Sequence, residues 1–214
     1  MIGGDCSVTI PFVSAFADHG PVWILQIDAH IDWRDEINGQ HHGYSSPMRR
    51  SSEMPHVVGM VQVGLRSVGS ARPADVEAAL SYGSRIVTAR DVHAGGVATA
   101  LQHIPDGANV IISLDCDSID PAIIPGVAAR TPGGLTYTQV IDLIAGVGRK
   151  ARIVGFDLVE FYPPADIGGI SALNAARILV NVVGTVARQN GSALRPSDVS
   201  IRDGSNQIDD ALSQ

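Results

Sequence analysis

The sequence predicts an α/β fold of three layers, α/β/α, around a mostly parallel central sheet. Short apolar runs alternate with amphipathic stretches along the chain, the pattern of strands and helices taken in turn. The apolar runs are rich in Val and Ile and lack strict alternation, as befits strands covered on both faces. Glycine is abundant, at 23 of 214 residues, whereas aromatics make up only 5%, a mixture that suits branched residues in strands and glycine at the turns.

In chain order, a helix is expected over residues 8–18, followed by strands over 22–27 and 57–64. A helix over 73–81, a strand over 85–88, a helix over 95–103 and a strand over 109–114 continue the series. Thr136 is placed to cap a helix over 137–148, which leads into a strand over 153–159. The final helix, 171–188, carries apolar residues every three to four positions. From about residue 189 the sequence turns polar and reads as a tail. With no internal repeat and no linker, residues 1–214 are expected to form a single domain.

A chain that is 45% hydrophobic and 17% charged has the composition of a soluble globular protein and can bury a core without disulfides. The net charge of −7 and the lack of clustered Lys and Arg exclude a nucleic-acid partner. Residues 1–20 lack the charged start and apolar run of a signal peptide. No apolar stretch approaches the roughly 20 residues that span a bilayer. A cytoplasmic protein without a membrane partner is expected. The two cysteines, Cys6 and Cys116, fall inside chemically dense segments and not in a disulfide framework.

Those segments carry the chemistry. Asp28-Ala29-His30-Ile31-Asp32 follows one expected strand, Asp115-Cys116-Asp117 follows another, and Glu160 follows a third. Sites in parallel α/β sheets form at the carboxyl ends of strands, so three acidic clusters fall where a site belongs. In extended backbone, alternate side chains share a face. This puts Asp28, His30 and Asp32 together, pairs Asp115 with Asp117, and turns Cys116 away. Asp120, before Pro121, is expected to shape the turn or support the ligands. Paired carboxylates at a buried strand end repel one another unless a cation joins them. Carboxylates with one imidazole suit hard or borderline ions such as Mn²⁺, and their number fits two ions better than one.

These motifs resemble those of the arginase/agmatinase (ureohydrolase) family. The resemblance runs in order through Gly3-Gly4-Asp5-Cys6-Ser7, Asp28 to Asp32, His42-Gly43, Ser113 to Pro121, Pro125-Gly126, Gly133-Gly134 and Gly155 to Glu160. It implies an arginase-like fold and two Mn²⁺ ions bridged by Asp28 and Asp115. Asp32 would complete one ion's shell and hold the attacking hydroxide, with His30 and Asp117 serving the other ion. It also implies that Glu160 grips a substrate guanidinium and that His42 takes part in proton transfer, with Asp32 carrying the proton to the departing amine. A homo-oligomer is implied as well.

The sequence departs from the family pattern in two ways. Cys6 stands where the family has a histidine ligand, which leaves open a thiolate ligand with another divalent metal, a weakened first site, or an inert thiol. Only Met1 and Ile2 precede the Gly-Gly-Asp motif, so a truncated chain lacking the first strands, with an exposed apolar sheet edge, is expected. The stretch from His42 to Glu53 is more similar to agmatinases than to arginases, which makes agmatine the expected cationic guanidino substrate. Arg130 suits a guanidino acid such as guanidinobutyrate as the alternative. A non-catalytic relative and a two-metal phosphoesterase are the other readings; the latter lacks the Asn and multiple His ligands such sites use.

Overall fold

Strands that are apolar at nearly every position need both faces covered, and the sheet of this chain is covered on both. The computed structural model describes residues 1–67, 71–189 and 191. Five strands, β1 (Val22–Ile27), β2 (Val57–Leu65), β3 (Arg85–Thr88), β4 (Asn109–Asp115) and β5 (Arg152–Val159), pair in parallel in the order β3-β2-β1-β4-β5. β1 and β3 coincide with the expected spans, and each of the others is one residue longer.

Seven helices flank the sheet among the described residues: α1 (Thr9–Ser14), α2 (Pro47–Ser52), α3 (Pro73–Tyr82), α4 (Ala89–Gly95), α5 (Ala98–Leu101), α6 (Tyr137–Lys150) and α7 (Ile170–Gln189). Leu25, Ile27, Val61, Val63, Ile112 and Leu114 form one core with Val92 of α4, Leu143 of α6 and Ile178 of α7. On the other face Val22, Ile24, Met60 and Ile111 pack with Val13 of α1, Met48 of α2 and Ala79 of α3. The three layers are those expected.

The helices correct the sequence reading in detail. α1 stops at Ser14, and residues 15–18 form turns closed by Phe16 N–H to Val13 O and His19 N–H to Phe16 O. The stretch 95–103 is not one helix. α4 begins earlier, where the Thr88 hydroxyl accepts from Asp91 N–H and the Asp91 carboxylate accepts from Thr88 N–H, and it ends where Gly96 takes φ +74°. α2 was not expected; it is short and polar. Thr136 does cap α6, accepting from Gln139 N–H. The polar tail lies outside the described residues apart from Gln189 and Gly191.

α7 has 20 residues and a mean hydropathy of 1.5, long and apolar enough by length and composition to cross a membrane. Asn174, Arg177 and Asn181 interrupt its apolar run, so the sequence marks it as a helix and not as a membrane span. Ala175, Ile178 and Val182 are buried in the core, and the Asn174 amide donates to Ile123 O at 2.9 Å.

The strand order locates the site. From β1 the chain builds outward to β3, then returns to the other side of β1 for β4 and β5. Such a reversal opens a crevice at the carboxyl ends of the two strands between which it occurs. Ile27 lies level with Leu114, so Asp28 and Asp115 emerge side by side. On the outer edge of β5, Gly3 N–H donates to Leu158 O (2.9 Å), and Glu160 N–H donates to Gly4 O (2.8 Å). Residues 1–4 therefore run along β5 and deliver Cys6 to the same end of the sheet.

Candidate metal centre

Asp28 and Asp115 each nucleate a turn. Asp28 Oδ1 accepts from His30 N–H at 2.6 Å, and Asp115 Oδ1 accepts from Asp117 N–H at 2.7 Å. Both motifs thus fold as aspartate-closed turns, not as the extended segments expected. Cys116–Ser118 is a 3₁₀ turn, and Asp32 sits at φ +49°. The side chains nevertheless converge, and Cys116 points away into the apolar core.

Strain marks the same place. Asp32 and Glu160 (φ +61°) are two of the four non-glycine residues with left-handed backbone among the described residues. The first free N–H groups of α2, from Met48 and Arg49, hold the Asp32 carbonyl at 3.1 and 3.3 Å. Glu160 is held by its N–H bond to Gly4 and by Cys6 N–H, which donates to its Oε1 at 3.0 Å.

Three sets of side chains bring their ligand atoms within 4.8 Å of one another: Cys6 with Asp28 and Asp32, Asp28 with His30 and Asp117, and Cys6 with Asp115 and Glu160. Cys6 Sγ–H donates to Asp115 Oδ2 at 3.0 Å. His30 Nδ1 lies 3.4 Å from Asp28 Oδ1 and 3.2 Å from Asp117 Oδ2. Burial raises the carboxyls of Asp28, Asp32 and Asp115, and the neighbouring aspartates add to the shift. Hydrogen bonds to Asp117 and Asp28 push His30 up to about 11. Burial also raises the Cys6 thiol and Glu160. Asp32 Oδ2 is buried without a hydrogen-bond partner. A crowded set of buried acids with one orphaned oxygen fits divalent cations, whose charge reverses each of these shifts.

Outer contacts hold the candidate ligands, and several were not legible in the sequence. Gln26 Nε2 donates to Asp28 Oδ2 (2.7 Å), Gln62 Nε2 to Gln26 Oε1 (2.6 Å), and Ser84 Oγ to Gln62 Oε1 (2.8 Å). The available signal was a glutamine inside each of two apolar strands, level with each other in the sheet. The Arg66 guanidinium donates to the carbonyls of Asp117 (2.6 Å), Ser118 (3.1 Å) and Thr131 (2.7 Å). Asp120 shapes the turn as expected, accepting from the N–H groups of Ala122, Gly133 and Gly134.

A cleft of about 540 Å³ opens over the centre. Cys6, His30, Asp32, Asp115, Asp117 and Glu160 line it, with Ile37, Tyr44, Ala128 and Ala129 adding apolar walls. Asp28 lies beneath them, 1% exposed. His42 is exposed and outside this lining. Arg130 also lies outside it, donating to the carbonyls of Pro125 and Ala165.

The sequence profile described as the arginase family matches residues 1–184. The chain belongs to the arginase family. Proclavaminate amidinohydrolase from Streptomyces clavuligerus is 33% identical over 200 residues, covering 91% of this chain and 63% of that protein. Its solved structure superposes with a TM-score of 0.80 at 32% identity, over 88% of this chain and 64% of that one. N(1)-aminopropylagmatine ureohydrolase from Thermus thermophilus is 34% identical, covering 92% of this chain and 65% of the relative. The human mitochondrial guanidino acid hydrolase is 34% identical, covering 85% and 53% respectively. This arginase-family chain therefore spans less than two thirds of the length of these relatives.

Proposed function

We propose that the chain is a two-metal amidinohydrolase that cleaves the guanidinium group of a small cationic guanidino compound, agmatine first, to urea and an amine. The convergence of Cys6, Asp28, His30, Asp32, Asp115, Asp117 and Glu160 from four neighbouring segments carries this reading. Asp28 and Asp115 would hold both cations, Cys6 and Asp32 one of them, and His30 and Asp117 the other. Divalent cations such as Mn²⁺ supply Lewis acidity and make water nucleophilic at neutral pH.

The chain's own groups do the rest. Glu160, half-buried in the cleft, accepts paired hydrogen bonds from the guanidinium and fixes its plane. Asp32 takes a proton from the attacking water and delivers it to the departing amine. His42 is exposed and lies outside the lining, and its part in proton transfer rests on the motif alone.

The cleft walls support an amine-bearing substrate over a guanidino acid. Arg34 in the lining is paired with Asp75 at 3.2 Å, and Arg130 is spent on backbone carbonyls outside it. The test is urea release by the purified chain with added Mn²⁺ from agmatine and from guanidinobutyrate. Faster turnover of agmatine is expected, with Asp32→Asn lowering kcat by roughly 10²–10⁴. Preference for guanidinobutyrate would overturn the substrate assignment. Two bound cations with no urea from a wider panel of guanidino compounds would favour a non-catalytic relative.

A further inference from the structure

Cys6 gives this centre a donor unlike the others. Its Sγ lies with oxygens of Asp28 and Asp32 in a group within 4.8 Å, and its S–H is aimed at Asp115 Oδ2, 3.0 Å away. The backbone is fixed there: Cys6 N–H is bonded to Glu160, and Gly3 N–H is bonded to Leu158. Asp32 provides an independent sign of a missing ligand, being 7% exposed with a buried Oδ2 that has no partner. The group formed by Asp28, His30 and Asp117 contains only oxygen and imidazole nitrogen donors.

We infer that the centre is built for two unlike metals, with the Cys6 thiolate making the position of Cys6, Asp28, Asp32 and Asp115 selective for a thiophilic borderline cation such as Zn²⁺ or Co²⁺ over Mn²⁺. This rests on the two-metal reading above and adds the identity of one ion. Sulfur donors favour softer cations, whereas carboxylate and imidazole donors accept Mn²⁺ readily, so the two positions separate by donor chemistry. Binding replaces the S–H proton with the metal and releases that proton to solvent. The S–H bond to Asp115 is given up in the same event, since both atoms then face the cation.

Anaerobic titration of the metal-free chain with Co²⁺ tests this directly. A near-ultraviolet thiolate-to-cobalt charge-transfer band should grow to saturation at one equivalent, while visible ligand-field bands continue to grow with the second. Cys6→Ser should abolish the first band, and Cys116→Ala should retain it. In competition experiments, Cys6→His should lower the Zn²⁺ to Mn²⁺ affinity ratio, since imidazole accepts Mn²⁺ more readily than a thiolate does; an unchanged ratio would overturn the selectivity. Two bound Co²⁺ ions with visible bands but no charge-transfer band would overturn the thiolate assignment and leave the two-metal reading standing. Failure of the native chain to bind any Co²⁺ would overturn both. The native band needs no variant, so a misfolded Cys6→Ser would not blunt the test.

Discussion

Asp157 is 0% exposed, and neither of its oxygens has a completed hydrogen bond, although Ser113 and Thr9 lie beside it. Burial pushes its carboxyl from 3.8 up to about 6. Between those values the folded chain keeps a proton that the unfolded chain has released. This group's contribution to stability is therefore fully present below about pH 4 and is lost as the pH rises to about 6, because the unfolded state binds fewer protons there. The total loss is about 3 kcal/mol. Asp157→Asn should remove that dependence, and its denaturation midpoint relative to the native chain should climb between pH 4 and pH 7. A difference independent of pH would mean that the buried carboxylate is already ionised throughout.

Among the elements, the turn after β4 and the loop through Thr131 are joined by Asp120, through Gly133 and Gly134, and by a side chain from a third segment. Arg66, just beyond β2, reaches both through its bonds to Asp117, Ser118 and Thr131. Arg66→Met should destabilise the chain by about 3 kcal/mol, since charged hydrogen bonds are lost and carbonyls are left unpaired. Chemical denaturation measures it, and a change within about 0.5 kcal/mol, typical of a surface substitution, would deny the clamp. This link was invisible in the sequence because it depends on which loops meet. The strands were legible to within one residue because branched apolar runs mark them. The cluster of candidate ligands was legible because its residue types are costly to bury together. Their backbone was not: the short turns closed by Asp28 and Asp115 look extended in a pattern of alternate residues. Helix ends at Gly96 and α2's short polar turn were missed because tertiary contacts outweigh weak local periodicity.

At the scale of the molecule, the order β3-β2-β1-β4-β5 explains why the proposed ligands, distant along the chain, meet. Cys6 and Asp115 are 109 residues apart, and Cys6 and Glu160 are 154 apart. Cations bound by the folded centre stabilise it by mass action. The thermal midpoint should therefore rise with free Mn²⁺ or Zn²⁺ and keep rising with concentration above the dissociation constant. An unchanged midpoint under saturating metal would show that loading is not coupled to folding.

The contact of residues 1–4 with β5 gives this coupling a particular form. Residues 1–4 run along the outer edge of β5 and bring Cys6 to the cleft that opens where β1 and β4 part. Ions held by the proposed ligands would tie the segments around Cys6, Asp28 and Asp115 into closed loops, as a covalent staple would. A disulfide closing a loop of about 100 residues is worth about 4.7 kcal/mol in chain-entropy terms. A chelator can undo this staple without breaking a bond. Metal starvation would then be felt first as a loosening of the whole architecture, with proteolytic lifetime following the supply of cation.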